Sequence, residues 1–354
     1  MSGTGEREER QMAPVMHRIE HGGNLRRAES LFPEAPRPWI DLSTGINPHA
    51  YPVPPLVPEA FSRLPEPDDL ARLKDIAAKV YGAASADQIA AAAGTQILLP
   101  LLIEARFGSF TSEGKTAAIL SPTYAEHAQM ARLAGFAVRE TQEVADLFAA
   151  DLAIVVNPNN PDGRLIARDE LLSLGRHLEG KGGLLVVDEA FMDVLAPGAS
   201  VADSVHEGLA VLRSFGKFYG LAGVRLGFAL ASEPVAARLS ARLGPWVIPG
   251  PTLAVGLAAL GDRNWQAEMR LRLNREAAEL DRLLSAAGLT VVGGTSIFRY
   301  VRHPQAQRLF RHLGEAGILV RRFAERPDCL RIGLPRPPEW KRLEEALCSE
   351  IWHV

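Results

Sequence analysis

Leu152-Ala153-Ile154-Val155-Val156-Asn157-Pro158-Asn159-Asn160-Pro161-Asp162-Gly163 is an apolar run that passes directly into a polar, proline-rich turn. A run without alternation predicts a strand buried on both faces, the kind found in a parallel sheet. The same form recurs along the chain. Ala117–Leu120 runs into Ser121-Pro122-Thr123-Tyr124, Leu184–Val187 into Asp188-Glu189-Ala190-Phe191, and Leu209–Arg213 into Ser214-Phe215-Gly216-Lys217. Residues 125–134 and 168–179 have helical spacing, and Ala137–Glu140 and Arg225–Ala231 read as further strands. Strands alternating with helices predict an α/β fold with a mostly parallel central sheet covered on both faces. In such sheets ligands bind at the carboxyl ends of the strands, and the polar turns lie there.

Upstream, residues 69–80 fit a helix ended by Tyr81-Gly82. Gln88–Ala93 reads as a strand entering Gly94-Thr95-Gln96, which opens a helix. Pro52, Pro54, Pro55 and Pro58 make an extended linker. Downstream, Gly244-Pro245-Trp246 and Pro249-Gly250-Pro251 mark a boundary. Beyond it, a long helix over 262–287, strands at 289–292, 296–301, 318–321 and 329–332, and helices over 304–316 and 337–350 predict a smaller α+β unit. The expected organisation is a tail over 1–14, then an N-terminal arm with part of the small domain over 15–62. A large domain over 63–245 and a small C-terminal α+β domain over 246–354 follow.

Composition narrows the partners. With 354 residues, 47% hydrophobic and 23% charged, the chain is of ordinary globular make-up. A net charge of −3 points to neither nucleic acid nor an anionic membrane. No apolar run reaches the roughly 18 residues of a membrane-crossing helix. Cys329 and Cys348 form no metal-binding or disulfide pattern, so a reducing compartment, the cytoplasm, is expected and no metal. The charged opening MSGTGEREERQM lacks the apolar core of a secretory signal.

The chemistry gathers around Lys217, set among glycines and apolar residues in Ser214-Phe215-Gly216-Lys217-Phe218-Tyr219-Gly220. A lysine with few anionic neighbours is biased toward the neutral amine that a Schiff-base lysine needs. The Ser214 hydroxyl and the Arg225 guanidinium suit a phosphate. So do backbone N–H groups at the start of the helix after Gly94. Together they suggest pyridoxal phosphate. Asp188 reads either as a helix N-cap or as the counter-ion of a protonated pyridine nitrogen, and a buried carboxylate needs a partner. Asn160 reads as a turn residue or as an amide donor, and Tyr124 as a core aromatic or a ring-stacking one.

These separated motifs resemble the class I/II aminotransferase group of fold-type-I pyridoxal-phosphate enzymes over roughly residues 20–345. The resemblance implies that Gly94, Thr95, Gln96, Ser214 and Arg225 hold the cofactor phosphate. Tyr124 would cover the ring, Asn160 would reach its phenolate oxygen, Asp188 its nitrogen, and Lys217 would carry it. Arg331, in Leu330-Arg331-Ile332-Gly333, would grip the substrate carboxylate. Further stretches are similar to the branch that handles phosphorylated amino compounds: His21-Gly22-Gly23-Asn24, Asp41-Leu42-Ser43-Thr44-Gly45-Ile46-Asn47-Pro48 and Leu64-Pro65-Glu66-Pro67-Asp68. That likeness implies decarboxylation of O-phospho-L-threonine in corrinoid biosynthesis, by a homodimer. His21, the Gly23 amide, Asn47 and Arg321 would be the substrate-phosphate anchors. Glu189 and Asp193 are expected to be structural. The alternatives are amino transfer to or from histidinol phosphate, and a cofactor-binding regulatory module. The module would need an added DNA-binding domain. Two residues depart from the family pattern. Phe191 replaces a tyrosine, leaving Asn160 as the main donor to the phenolate oxygen. Leu64 replaces a tyrosine that reaches the partner subunit's cofactor phosphate, and an alkyl side chain makes no such bond.

Overall fold

The computed structural model describes residues 21–108, 114–349 and 352. The expected tail over 1–14 and the first part of the arm lie outside them. Seven strands form the main sheet: β2 (Ile89–Ala92), β3 (Thr116–Leu120), β4 (Ala137–Thr141), β5 (Leu152–Val156), β6 (Leu184–Asp188), β7 (Leu209–Ser214) and β8 (Gly227–Leu230). A short β1 (Ile40–Asp41) precedes them. The sheet order is β2-β8-β7-β6-β5-β3-β4, and only β8 runs antiparallel to its neighbours. The expectation of a mostly parallel sheet is met.

Residues alternate along each strand between two packed layers. Ala153, Val155, Leu185, Val187 and Val211 face a layer containing Leu73, Leu171, Leu174 and Leu253. Leu152, Ile154, Leu184, Val186 and Leu212 face Leu98, Leu102, Ala131 and Leu239. Because both faces are covered, the central strands β5 and β6 carry no polar residue until they end. Truncating a fully buried leucine in either layer costs about 2–5 kcal/mol. The helix Pro67–Tyr81 shows how local chemistry sets the bounds: proline opens it and Gly82, at φ 82°, closes it.

The remaining strands are β9 (Thr290–Thr295), β10 (Phe298–Arg302), β11 (Ile318–Leu319), β12 (Arg321–Arg322) and β13 (Cys329–Gly333). β12-β13-β10-β9 form an antiparallel sheet, against which the helix Arg263–Ala286 packs. β1 pairs with β11 in parallel, Ile40 opposite Ile318. This ties the early segment to the C-terminal part of the chain and sets Ser43–Gly45 over the main sheet's rim. The final helix is shorter than the spacing suggested. Pro337 and Pro338 confine their segment to a 3-10 turn, and the α-helix spans Trp340–Leu347.

Candidate active site

The carboxyl ends of β3, β5, β6 and β7 open onto one cavity of about 620 Å³. β2 ends at the same rim, because Ala92 lies opposite Gly227. β8 runs the other way, so it is its start, just after Arg225, that reaches this edge. Topology therefore gathers residues far apart in sequence: Gly94, Thr95 and Gln96 after β2, Tyr124 after β3, Asn160 after β5, Asp188 ending β6, Ser214 ending β7 and Lys217 just beyond it. His21, Arg225, Arg321 and Arg331 complete the lining.

Lys217 lies in the one-turn helix Phe215–Phe218, on the cavity floor. Burial pushes its amine down to about 8 from an ordinary 10.5, and the nearby Arg331 and Arg225 cations add to this against the pull of Asp188. The turn that carries it is fixed from several sides. The Asn47 backbone N–H donates to Lys217 O at 3.0 Å and its side-chain amide to Phe218 O at 2.7 Å. Beneath, the buried Arg213 pairs with Glu189 at 2.7 Å and with Asp193, and stacks on Tyr81 at 4.4 Å. Glu189 also accepts from Ser200 and from the Val201 amide. Glu189 and Asp193 thus serve Arg213 rather than the cavity.

Asp188 is buried, and both its oxygens are engaged. Oδ1 accepts from the Ala190 amide at 3.0 Å, and Oδ2 stands 2.9 Å from Nε2 of His127. Sequence reasoning asked for a partner here without naming one. The available signal is position: His127 follows Tyr124 by three residues, and its N–H closes a turn on Tyr124 O. The Tyr124 and His127 rings meet edge-on at 5.3 Å. Burial first, then Glu126 and Asp188, push the Tyr124 phenol up to about 12, so it stays protonated.

At the other end, the helix Thr95–Phe107 begins at Gly94 without a side-chain cap. Its first N–H groups are left for an anion. Gly94 has φ 100°, and a Cβ there would stand 2.6 Å from Nη2 of Arg225. A Cβ at Gly227 would stand 2.7 Å from the Thr95 nitrogen. Only glycine at both positions lets the guanidinium and the amides share one cradle. Arg331, on β13, donates to Asn160 Oδ1 and to Ser43 O, and its Nε is buried without a partner. Burial, then Arg321, lower its guanidinium to about 10. Phe298 lies under it at 5.2 Å, and Phe191 meets Phe298 edge-on at 5.2 Å.

Two expected substrate residues are corrected. The Gly23 amide does not reach the cavity, because it donates to Ser43 Oγ at 2.8 Å; Gly22 lines the cavity instead. Asn47 does not line it either: its amide group is used on Phe218 O and on the His49 N–H, so it braces the lysine turn. Its place in a polar turn gives no hint of that. Arg322, adjacent to Arg321, also lines the cavity.

The donor set fits pyridoxal phosphate. The uncapped cradle suits its phosphate, Asp188 its ring nitrogen, the Asn160 amide its phenolate oxygen, and the desolvated Lys217 amine its aldehyde carbon. Sheet, strand-end rim and lysine define the class of protein: a pyridoxal-phosphate enzyme of fold type I. A family model for class I and II aminotransferases matches residues 39–347, and the chain belongs to that family. It is 42% identical over 93% of its length, and 97% of theirs, to proteins named threonine-phosphate decarboxylase from Pseudomonas aeruginosa and a Sinorhizobium species. The fold matches the crystal structure of histidinol-phosphate aminotransferase from Sinorhizobium meliloti in complex with pyridoxal-5'-phosphate. That match has TM-score 0.76 and 20% identity, over 96% of this chain and 99% of that one. Among the described residues no helix is long and apolar enough to cross a membrane, and no cluster of His, Cys, Asp and Glu would hold a metal ion.

Proposed function

We propose that the chain is a pyridoxal-phosphate-dependent lyase that decarboxylates O-phospho-L-threonine to (R)-1-amino-2-propanol O-phosphate and CO2. The observation that carries the reading is the set of three cationic corners around one desolvated lysine. Gly94–Gln96 with Ser214 and Arg225 suit the cofactor phosphate, Arg331 suits a carboxylate, and His21 with Arg321 and Arg322 suit a second phosphate. With the first corner taken by the cofactor, a substrate bearing a carboxylate and a phosphate uses the other two, and its amine faces Lys217. The full-length 42% identity to proteins named threonine-phosphate decarboxylase supports it.

When bound, the cofactor supplies a cationic ring that accepts the electron pair left at Cα. The protein's share is positioning and proton handling. Asp188, oriented by His127, keeps the proton on the ring nitrogen. Arg331 would hold the substrate by its carboxylate and the phosphate corner by its phosphate, and these two anchors together would fix which bond to Cα is set to break. CO2 leaves, and the Lys217 ammonium returns one proton to Cα. Phe191 and Phe298 present no hydroxyl on that side. We also infer a homodimer: Val57, Phe61 and Leu64, beside the short helix Glu59–Ser62, expose an apolar edge that a second copy would cover.

The test is purified protein with cofactor and O-phospho-L-threonine, without oxo acid, followed by mass spectrometry. Multiple turnover to CO2 and aminopropanol phosphate is expected. No CO2, with amino transfer once 2-oxoglutarate and histidinol phosphate are supplied, would move the reading to an aminotransferase.

A further inference from the structure

Glu126 is a carboxylate bonded to two residues that line the anion-binding mouth, His21 and Gln96, and the mechanism above gives it no task. It opens the helix Glu126–Leu133 and is largely buried. Its Oε1 stands 2.7 Å from Nε2 of His21, and its Oε2 accepts from Nε2 of Gln96 at 3.4 Å. One side chain thus links the two corners that suit phosphates. A fixed negative charge beside an anion site weakens binding by repulsion unless donors neutralise it or it orders something that binding needs.

What it orders is the His21 ring. The backbone of this segment is seated on Ser43: the Gly23 N–H donates to Ser43 Oγ, and a Cβ at Gly22 would meet Ser43 O at 2.5 Å. That seating fixes the main chain and leaves the half-exposed ring free to turn. The bond to Glu126 removes the freedom, and Tyr124 flanks the ring at 6.0 Å. With Nε2 committed to the carboxylate, Nδ1 is the nitrogen left for a phosphate oxygen. Arg321 and Arg322 border the same cavity, and a smaller adjoining hollow brings Arg27 to the other side of His21.

We propose that Glu126 is the positioning residue of the substrate-phosphate pocket: it holds His21 for a phosphomonoester and so makes the enzyme prefer a phosphorylated over an unphosphorylated amino acid. This rests on the reading of a phosphorylated amino-acid substrate. Ordering one ring in advance lowers the entropy cost of binding, so the effect belongs in affinity rather than in turnover.

The experiment uses the cofactor-loaded protein with Glu126→Ala, Glu126→Gln and each change again in a His21→Ala background. Glu126→Ala is expected to raise KM for O-phospho-L-threonine about ten-fold while kcat changes less than about three-fold. The inhibition constant of inorganic phosphate, and its dissociation constant measured by calorimetry, rise by the same factor. Glu126→Gln keeps an acceptor for His21 Nε2 and recovers most of the loss. In the His21→Ala protein, Glu126→Ala adds less than about two-fold, since the two residues act as one unit. A fall in kcat at unchanged KM, unchanged phosphate affinity, or effects of the two residues that multiply would each overturn the proposal. Phosphate binding needs no turnover. If the unaltered protein released no CO2, the decarboxylase reading would fail while the calorimetry still decided the role of Glu126.

Discussion

The depressed Lys217 amine is the sharpest quantity the site offers. At pH 7.4 an amine titrating near 10.5 is neutral in about one molecule in a thousand, whereas one titrating near 8 is neutral in about one in five. The pocket therefore supplies roughly two hundred times more free amine. Burial is the leading cause, and Arg331 is the first of the neighbouring cations. Replacing Arg331 with leucine removes that cation and keeps an apolar side chain; replacing it with lysine keeps a charge. In the cofactor-free protein, the pH dependence of Lys217 acylation, read by peptide mass spectrometry, should give a midpoint near 8. The midpoint should rise in Arg331→Leu and rise less in Arg331→Lys. The sign carries over to stability. The folded lysine releases its proton below the pH at which the unfolded one does, so its contribution to stability rises between about pH 8 and 10.5. A native midpoint near 10.5, or the same midpoint in all three proteins, would refute the reasoning.

Three further outcomes are expected. His127→Phe leaves Oδ2 of the buried Asp188 without its partner, a loss of about 1.5–3 kcal/mol; kcat should fall at least about ten-fold with substrate KM little changed, and steady-state kinetics checks it. Gly94→Ala drives a Cβ into Arg225 at a left-handed φ, so cofactor affinity in a spectroscopic titration should drop by about ten-fold or more. Phe61→Glu places a charge on a ring that is 70% exposed; sedimentation should show a dimer in the unaltered protein and a shift to monomer in the variant. A monomer in both would remove the dimer from the proposal.

Much of this site was legible before folding because its chemistry needs particular residues at strand ends. The buried strands β5, β6 and β7 announce themselves by unbroken apolar runs. Polar groups at or just beyond their ends, Asn160, Asp188 and Ser214 with Lys217, are forced to the rim. Arg225 and Gly94 were both assigned to the cofactor phosphate by resemblance, but the physical reason they meet, β8 running against its neighbours, is visible only in the fold. His127 stayed hidden because helical spacing shows only that a histidine follows Tyr124, not that it faces Asp188. Gly23 and Asn47 were misread for the same reason. A polar group in a turn looks available for a ligand until its backbone partners are known, and here Ser43, Phe218 and His49 had taken them.

The sequence by itself determined the layered α/β fold, the lysine and the kind of cofactor, because burial pattern and residue chemistry are local properties. Tertiary structure alone decided which polar groups remain free. β1 on β11 carries Ser43 to Arg331, and the arm carries His21 to Glu126. Whether a donor is spent or available depends on partners brought together from distant parts of the chain.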